Sequence, residues 1–191
     1  MGKPDIKDLL SEKARIKYAC ARKLITFARE NPVELYPDLG FFVQLLDSDN
    51  KIIRWTAIDV IGALARADNG RKIDNILDRI IGLLNTGNMI TANHAAAALS
   101  DIALAKPEYL PGITGELLKV EHYDYDTDEC RNIVIGKVIL ALSKFSDKLD
   151  TNKAVLEFIS RQTKNTRNAT AKKAEQFLRK INRKKNKTLV S

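Results

Sequence analysis

Cysteine, histidine and tryptophan are scarce in this chain, and each scarcity closes off a class of chemistry. Only Cys20 and Cys130 occur in 191 residues. They stand 110 residues apart, a spacing that suits neither a disulfide framework nor a metal or redox motif. Both fall in apolar stripes and read as small buried hydrophobes, which fits a reducing, cytoplasmic location. The two histidines, His94 and His122, give the cysteines no partner at nucleophile–base spacing. The nine glycines fall at turns and isolated helix positions, so no phosphate-cradling loop is formed. One tryptophan and 6% aromatics leave little with which to stack bases. Long apolar runs are missing too. The stretch 80–100 has no Asp, Glu, Lys or Arg, but Asn85, Gly87, Asn88, Asn93 and His94 interrupt it. It reads as a helix end, a turn and a new helix, not as a membrane span. The opening Met1-Gly2-Lys3-Pro4-Asp5-Ile6 carries no leader-like apolar run, and Ile6 stands where myristoylation wants Ser or Thr.

What the chain does have is an internal repeat. Ile16-Lys17-x-x-Cys20-Ala21 aligns with Ile53-Arg54-x-x-Ala57-Ile58, Thr91-Ala92-x-x-Ala95-Ala96, Cys130-Arg131-x-x-Val134-Ile135 and Thr166-Arg167-x-x-Thr170-Ala171. The offsets are 37, 38, 39 and 36 residues, the range of helix-pair repeats. Within the second unit Ala57, Ile58, Ile61, Leu64 and Ala65 make one helical stripe, with cap candidates in Leu46 to Asn50. Asp68-Asn69-Gly70 ends that helix, with Asn or Gly available for a left-handed cap. Pro32 and Pro107 stop the first helices of their repeats. The pattern predicts helices near 12–30 and 33–47, 51–67 and 71–86, 89–105 and 108–120, 127–145 and 152–163, and a last helix over 166–184. The predicted class is all-α: a right-handed α-α superhelix of four to five helix-pair repeats, one domain over 1–191, with a basic end at 183–191 that is expected to fray.

The Ile/Val-Arg-x-x-Ala-small-x-x-Leu pattern resembles the HEAT repeat, of the PBS-lyase HEAT-like and armadillo-like kind, over about residues 12–182. The segments 47–65, 129–143 and 167–181 also resemble a widespread prokaryotic HEAT-repeat family with no established activity. The resemblance implies that Lys17, Arg54, Arg131 and Arg167 form a polar ladder between repeats, interrupted at Ala92. The repeat motif is specific for fold and nearly silent on function; the extended curved surface of a solenoid suits a binding scaffold, and no catalytic, cofactor or metal motif stands out. Thr170 departs from the alanine of the pattern and makes the last repeat's packing the least secure.

Charge is the second signal. From Arg161 to Ser191 there are eleven Lys and Arg against Glu175 alone, while the other 160 residues hold 21 basic and 23 acidic side chains. The whole excess of +8 therefore sits in the last 31 residues. Lys172, Lys173, Arg179 and Lys180 recur at seven residues and are expected to share a face, followed by Arg183, Lys184 and Lys185. Ala171, Ala174, Phe177, Leu178 and Ile181 form the opposite, docking stripe. Such a cluster suits a phosphate backbone or an acidic surface, and equally the polar outer face of a terminal repeat.

Two further constellations stand out. Trp55-x-x-x-Asp59 places a ring and a carboxylate side by side on a helix, both pointing away from the Ala57/Ile61 stripe together with Gly62 and Arg66. The pair resembles the arrangement in HEAT-like alkylpurine DNA glycosylases, although a single tryptophan cannot build their aromatic cage. The acidic loop from His122 to Glu129 matches a calcium loop poorly, and Asp126 with Glu129 reads as a capping box. The sequence thus points first to a non-enzymatic scaffold for a protein partner. Second comes a nucleic-acid-binding module using the basic C-terminal helix, and third a glycosylase built on Trp55 and Asp59. No membrane partner is expected, and the oligomeric state is left open.

Overall fold

The computed structural model describes residues 2–188, with side chains described as far as Arg183. Among these residues the chain is made of α-helices and short 3-10 turns, with no strand. The α-helices are α1 Ala14–Glu30, α2 Pro32–Leu35, α3 Leu39–Gln44, α4 Lys51–Leu64, α5 Leu77–Gly82, α6 Met89–Ala105, α7 Leu110–Leu118, α8 Asp128–Ser143, α9 Ser146–Leu149, α10 Lys153–Gln162 and α11 Asn168–Thr188. The first helix of every repeat falls where the apolar spacing predicts it. The second helices of the first three repeats are broken into α and 3-10 pieces instead. Pro37 is one cause: it is the middle residue of the 3-10 turn Tyr36–Asp38 and donates no backbone hydrogen bond, so the helix restarts at Leu39. Asn31 and Lys106, each ahead of a proline, adopt φ/ψ of −131/56° and −130/79°, and α1 and α6 end one residue earlier.

Two compact units divide the chain: residues 1–83 with 97–110, and residues 84–96 with 111–191. Helix α6 therefore gives its first turns to the second unit and the remainder to the first.

In the first unit α1 lies against α4. Leu24, Phe27 and Ala28 of α1 are buried with Ala57, Ile58, Ile61 and Leu64 of α4 and with Leu99, Ile102 and Ala103 of α6. Each fully buried Leu, Ile or Phe contributes about 1.5–3 kcal/mol. Small residues set the helix spacing. A Cβ added at Gly62 would stand 2.7 Å from the Cα of Ala98, so the two backbones meet at that point. Gly62 is therefore a contact residue and not, as its spacing predicted, part of an outward face. Asn50 caps α4 by accepting from the N–H groups of Ile52 and Ile53. After α4 the left-handed residue is Arg71, with φ 54°, rather than Asn69 or Gly70. Its backbone strain is offset by three side-chain partners: Asp74, Glu108 and the Tyr109 hydroxyl.

Asp68, its side chain wholly buried, organises the polar interior of this unit. It accepts from the Tyr36 hydroxyl at 2.5 Å and from the N–H groups of Lys72 and Ile73, and it pairs with Lys106 Nζ at 3.0 Å. Burial pushes its carboxyl up, but these four donors outweigh that and hold it below the usual range. Burial likewise lowers Lys106, and Asp68 and Asp74 reverse the shift. The Tyr36 phenol is pushed up to about 12, first by burial and then by the Asp68 carboxylate.

In the second unit α11 packs on α8 and α10. Thr127, not Asp126, caps α8: its extended backbone aims Oγ1 at the N–H of Cys130. The acids of the preceding loop are instead gathered by Arg131, which holds Asp124, Asp128 and the Tyr123 carbonyl. Tyr125 donates to the Leu84 carbonyl at 2.6 Å and pins the same loop.

The repeat period is written into the polar contacts. Arg66 reaches the Arg29 carbonyl 37 residues back, and Lys106 reaches Asp68 across 38. In the second unit Arg167 to Glu129 and Thr170 to the Asn132 carbonyl both span 38, and Arg161 to Glu121 spans 40. Arg167 thus makes the inter-repeat bond that the resemblance implies. Arg131 turns to its own loop, and Arg54 keeps its Nε buried without a partner.

Candidate functional site

The basic C-terminal helix is laid down by Thr170, Ala174, Phe177 and Ile181, all buried against the second unit. Ala171 and Leu178 flank that stripe and are half-buried. Thr170, where the repeat pattern has alanine, is fully buried, and its hydroxyl donates to the Asn132 carbonyl at 2.7 Å. Asn132 is fixed in turn by Thr166 and Asn165, which lock the start of α11 to α8.

The cations of this helix are not equivalent. Lys172 and Arg183 are exposed. Arg179 is exposed too, and pairs with Glu175 one turn back at 3.1 Å. Lys173 and Lys180 lean the other way, onto α8. Lys180 Nζ donates to the Ser143 carbonyl at 2.9 Å, and Lys173 Nζ lies so close to α8 that a Cβ at Gly136 would stand 3.2 Å from it. Lys173 is half-buried, and its ammonium is pushed below the usual lysine value by that burial and by the like charges of Arg167 and Lys137. The structure therefore splits the expected single face into two. The side chains of Lys184 and Lys185, and residues 189–191, lie outside the described residues.

Sequence reasoning passed over Lys137 and Lys144. The signal was present: the 36-residue offset that aligns Cys130 with Thr166 also superposes Lys137 on Lys173 and Lys144 on Lys180.

Trp55 and Asp59 stand one turn apart on α4, and both are half-buried rather than exposed. Their helix face continues into Gly62, which is pressed on Ala98, so at that end it is a packing face. Arg66, beyond it, is exposed and donates to the Arg29 carbonyl.

A concave feature lies at the start of the first unit. The 3-10 segment Ile6–Leu10, capped by Asp5, folds onto α1. Between them is a cleft of about 360 Å³ lined by Pro4, Asp5, Asp8, Arg15, Ile16, Ala19, Cys20 and Lys23. Cys20 donates its thiol to the Asp5 carbonyl at 3.4 Å, and burial together with Asp8 and Asp5 pushes that thiol up to about 11. A thiol so far from ionisation is a wall, not a nucleophile. Cys130 is only half-buried, which departs from its reading as a core residue. Among the described residues no group of three or more His, Cys, Asp or Glu is placed to hold a metal ion, and no helix is long and apolar enough to cross a membrane.

No family model matches the chain, and no curated protein matches it. Among solved structures it is similar to the crystal structure of an engineered protein, at 18% identity and a TM-score of 0.58, over 92% of this chain and 77% of that one. A designed armadillo repeat protein aligns over 92% of this chain and 97% of its own at 16% identity, with a TM-score of 0.39. The fold is an all-α helical repeat. At such identities likeness reaches the backbone and stops there, so function rests on the surfaces just described.

Proposed function

We propose that this chain is a non-enzymatic repeat scaffold that binds a protein partner, working in the cytoplasm. The observation that supports it is the cleft at the first repeat, a contiguous lining of mixed character on a fold class that serves as a binding surface. One wall offers the carboxylates Asp5 and Asp8. The other, α1, offers Arg15 and Lys23 with Ile16, Ala19 and Cys20 between them. Arg15 and Lys23 are eight residues apart, about 12 Å along a helix. An extended peptide advances about 3.3 Å per residue, so four residues bridge the two cations. A segment with an apolar side chain against Ile16 and Ala19 and an acidic residue at either cation matches this lining. The same two chain segments also expose Leu10 and Tyr18, each about half accessible (50% and 52%), which enlarges the apolar surface open to a partner.

The test is a peptide selection on the immobilised full chain, counter-screened with Ile16→Glu/Lys23→Glu. Both positions are exposed, so circular dichroism is expected to show an unchanged fold. The proposal expects recovered peptides that combine apolar and acidic residues and lose at least about tenfold in affinity on the variant, or about 1.4 kcal/mol. Failure to select any peptide, or peptides indifferent to the variant, would contradict it.

A further inference from the structure

The charges that the repeat period aligns in the second unit point to a ligand of their own, independent of the cleft. Lysines stand in register along α8 and α11: Lys137 in α8 and Lys144 at its C-cap, Lys173 and Lys180 in α11, each pair seven residues apart and the pairs offset by 36. Seven residues advance a helix by about 10.5 Å, and packed helices lie about 8–10 Å apart. The four lysine positions thus span a stretch of backbone roughly 10 Å on a side. Gly136 sits within it, and its missing side chain lets Lys173 settle against the α8 backbone. Leu140, 47% exposed, lies between Lys137 and Lys144 in sequence on α8.

The carboxylates of α8 and α11 are engaged away from Lys137 and Lys173. The acids of α8 and α11 are Asp128, Glu129 and Glu175, and they pair with Arg131, Arg167 and Arg179 respectively. Among the described residues Lys137 and Lys173 have no carboxylate within ion-pair reach. Arg167, although paired with Glu129, still acts on Lys173 as a like charge. Holding cations together, two of them (Lys137 and Lys173) half-buried, costs free energy that an anionic ligand would recover. No aromatic ring stands in α8 among these cations, and the one in α11, Phe177, is buried in the docking stripe, so the ligand is one recognised by charge and not by base stacking.

We infer that the face of α8 and α11 bearing Lys137, Lys144, Lys173 and Lys180 is a binding site for the phosphodiester backbone of a nucleic acid, engaged over a few phosphates without sequence readout. Contacts with α8 hold Lys173 and Lys180 in place ahead of binding, and each neutralised phosphate releases condensed counterions. The site uses only part of the C-terminal helix: Lys172 and Arg183 lie off it.

Fluorescence anisotropy of a labelled 20-base-pair DNA duplex across a salt series tests this, with the full chain throughout. Four contacts give a slope of log affinity on log salt near about −3.6, so affinity falls roughly 150-fold between 50 and 200 mM salt. Lys137→Gln/Lys173→Gln is expected to halve the slope to about −1.8, a fall of roughly 12-fold over the same range. The control pair Lys172→Gln/Arg183→Gln removes the same charge from outside the patch and is expected to keep the wild-type slope. Lys173→Arg, which keeps the charge, is expected to keep it too, separating charge from packing. Equal losses in both glutamine pairs would reduce the effect to diffuse attraction and overturn the site. So would absence of binding at 50 mM salt, or Lys137- and Lys173-dependent binding to phosphatidylserine vesicles without binding to the duplex. None of these outcomes touches the peptide cleft.

Discussion

Asp68→Ala tests how the first unit is held together. The carboxylate receives four hydrogen bonds, from Tyr36, Lys106 and two backbone N–H groups, within a side-chain site closed to solvent. Truncation strands the Lys106 ammonium, itself only 9% exposed, and leaves the Tyr36 hydroxyl and both N–H groups to find new acceptors. Breaking one side of a buried ion pair costs about 3–5 kcal/mol. Asp74 still stands 3.4 Å from Lys106 Nζ, which places the expected loss at the lower end, about 3 kcal/mol. Lys106→Met removes the other partner and costs less, about 1–2 kcal/mol, because the carboxylate keeps three donors. The double variant is expected to cost at least about 1 kcal/mol less than the sum, since the stranded charge is then gone. Urea denaturation followed by the fluorescence of Trp55, the only tryptophan, reports on this unit. A loss below about 1 kcal/mol for Asp68→Ala, or an additive double variant, would refute the reasoning.

The same cluster sets a pH window. Asp68 is held below its ordinary 3.8, so its contribution is present above that value and is lost as the pH falls through the lower folded one. Lys106 is raised above 10.5 and Tyr36 to about 12, so theirs are present below 10.5 and 10.0 and are lost as the pH rises through the raised values; a urea midpoint that stayed constant below pH 3 would contradict this. Gly62→Ala, crowding the Ala98 backbone, is expected to destabilise by about 1–3 kcal/mol. Gly115→Ala, in the exposed middle of α7 with nothing within 4 Å, is expected to stabilise by about 0.5–1 kcal/mol; thermal unfolding of the two checks that opposition. Thr170→Val, which removes the hydroxyl bonded to Asn132, is expected to cost about 1–2 kcal/mol in the second unit by circular dichroism. The Cys20 thiol, raised from 9.0 to about 11, is expected to alkylate about 100-fold more slowly at pH 8 than an ordinary thiol, and urea is expected to abolish the protection.

The first helices of the repeats were legible because small residues at fixed offsets can only mean close helix approach. Proline marked where α1 and α6 stop, since its effect on the preceding residue is local. The second helices were less legible, as 3-10 breaks such as Leu83–Asn85 carry no composition signal of their own. Arg71 shows why the left-handed position was misplaced. Propensity favours Asn69 or Gly70, but the partners that stabilise Arg71 include Tyr109, 38 residues away and invisible to any local rule. Part of the cationic patch was legible, namely Lys173 and Lys180. Their separation from Lys172 and Arg179 depends on which side of α11 faces α8, which is a tertiary fact. The cleft at the first repeat was not legible at all. It exists because Ile6–Leu10 folds back on α1, and nothing in that short segment's spacing announces it.

The most direct measurement on the scaffold reading is hydrogen exchange of the full chain, free and with a selected peptide bound. Protection confined to backbone amides of residues 4–23, with the rest of the chain unchanged, is the result this account expects. Protection absent from that segment, or concentrated on α4 around Trp55 and Asp59, would contradict it.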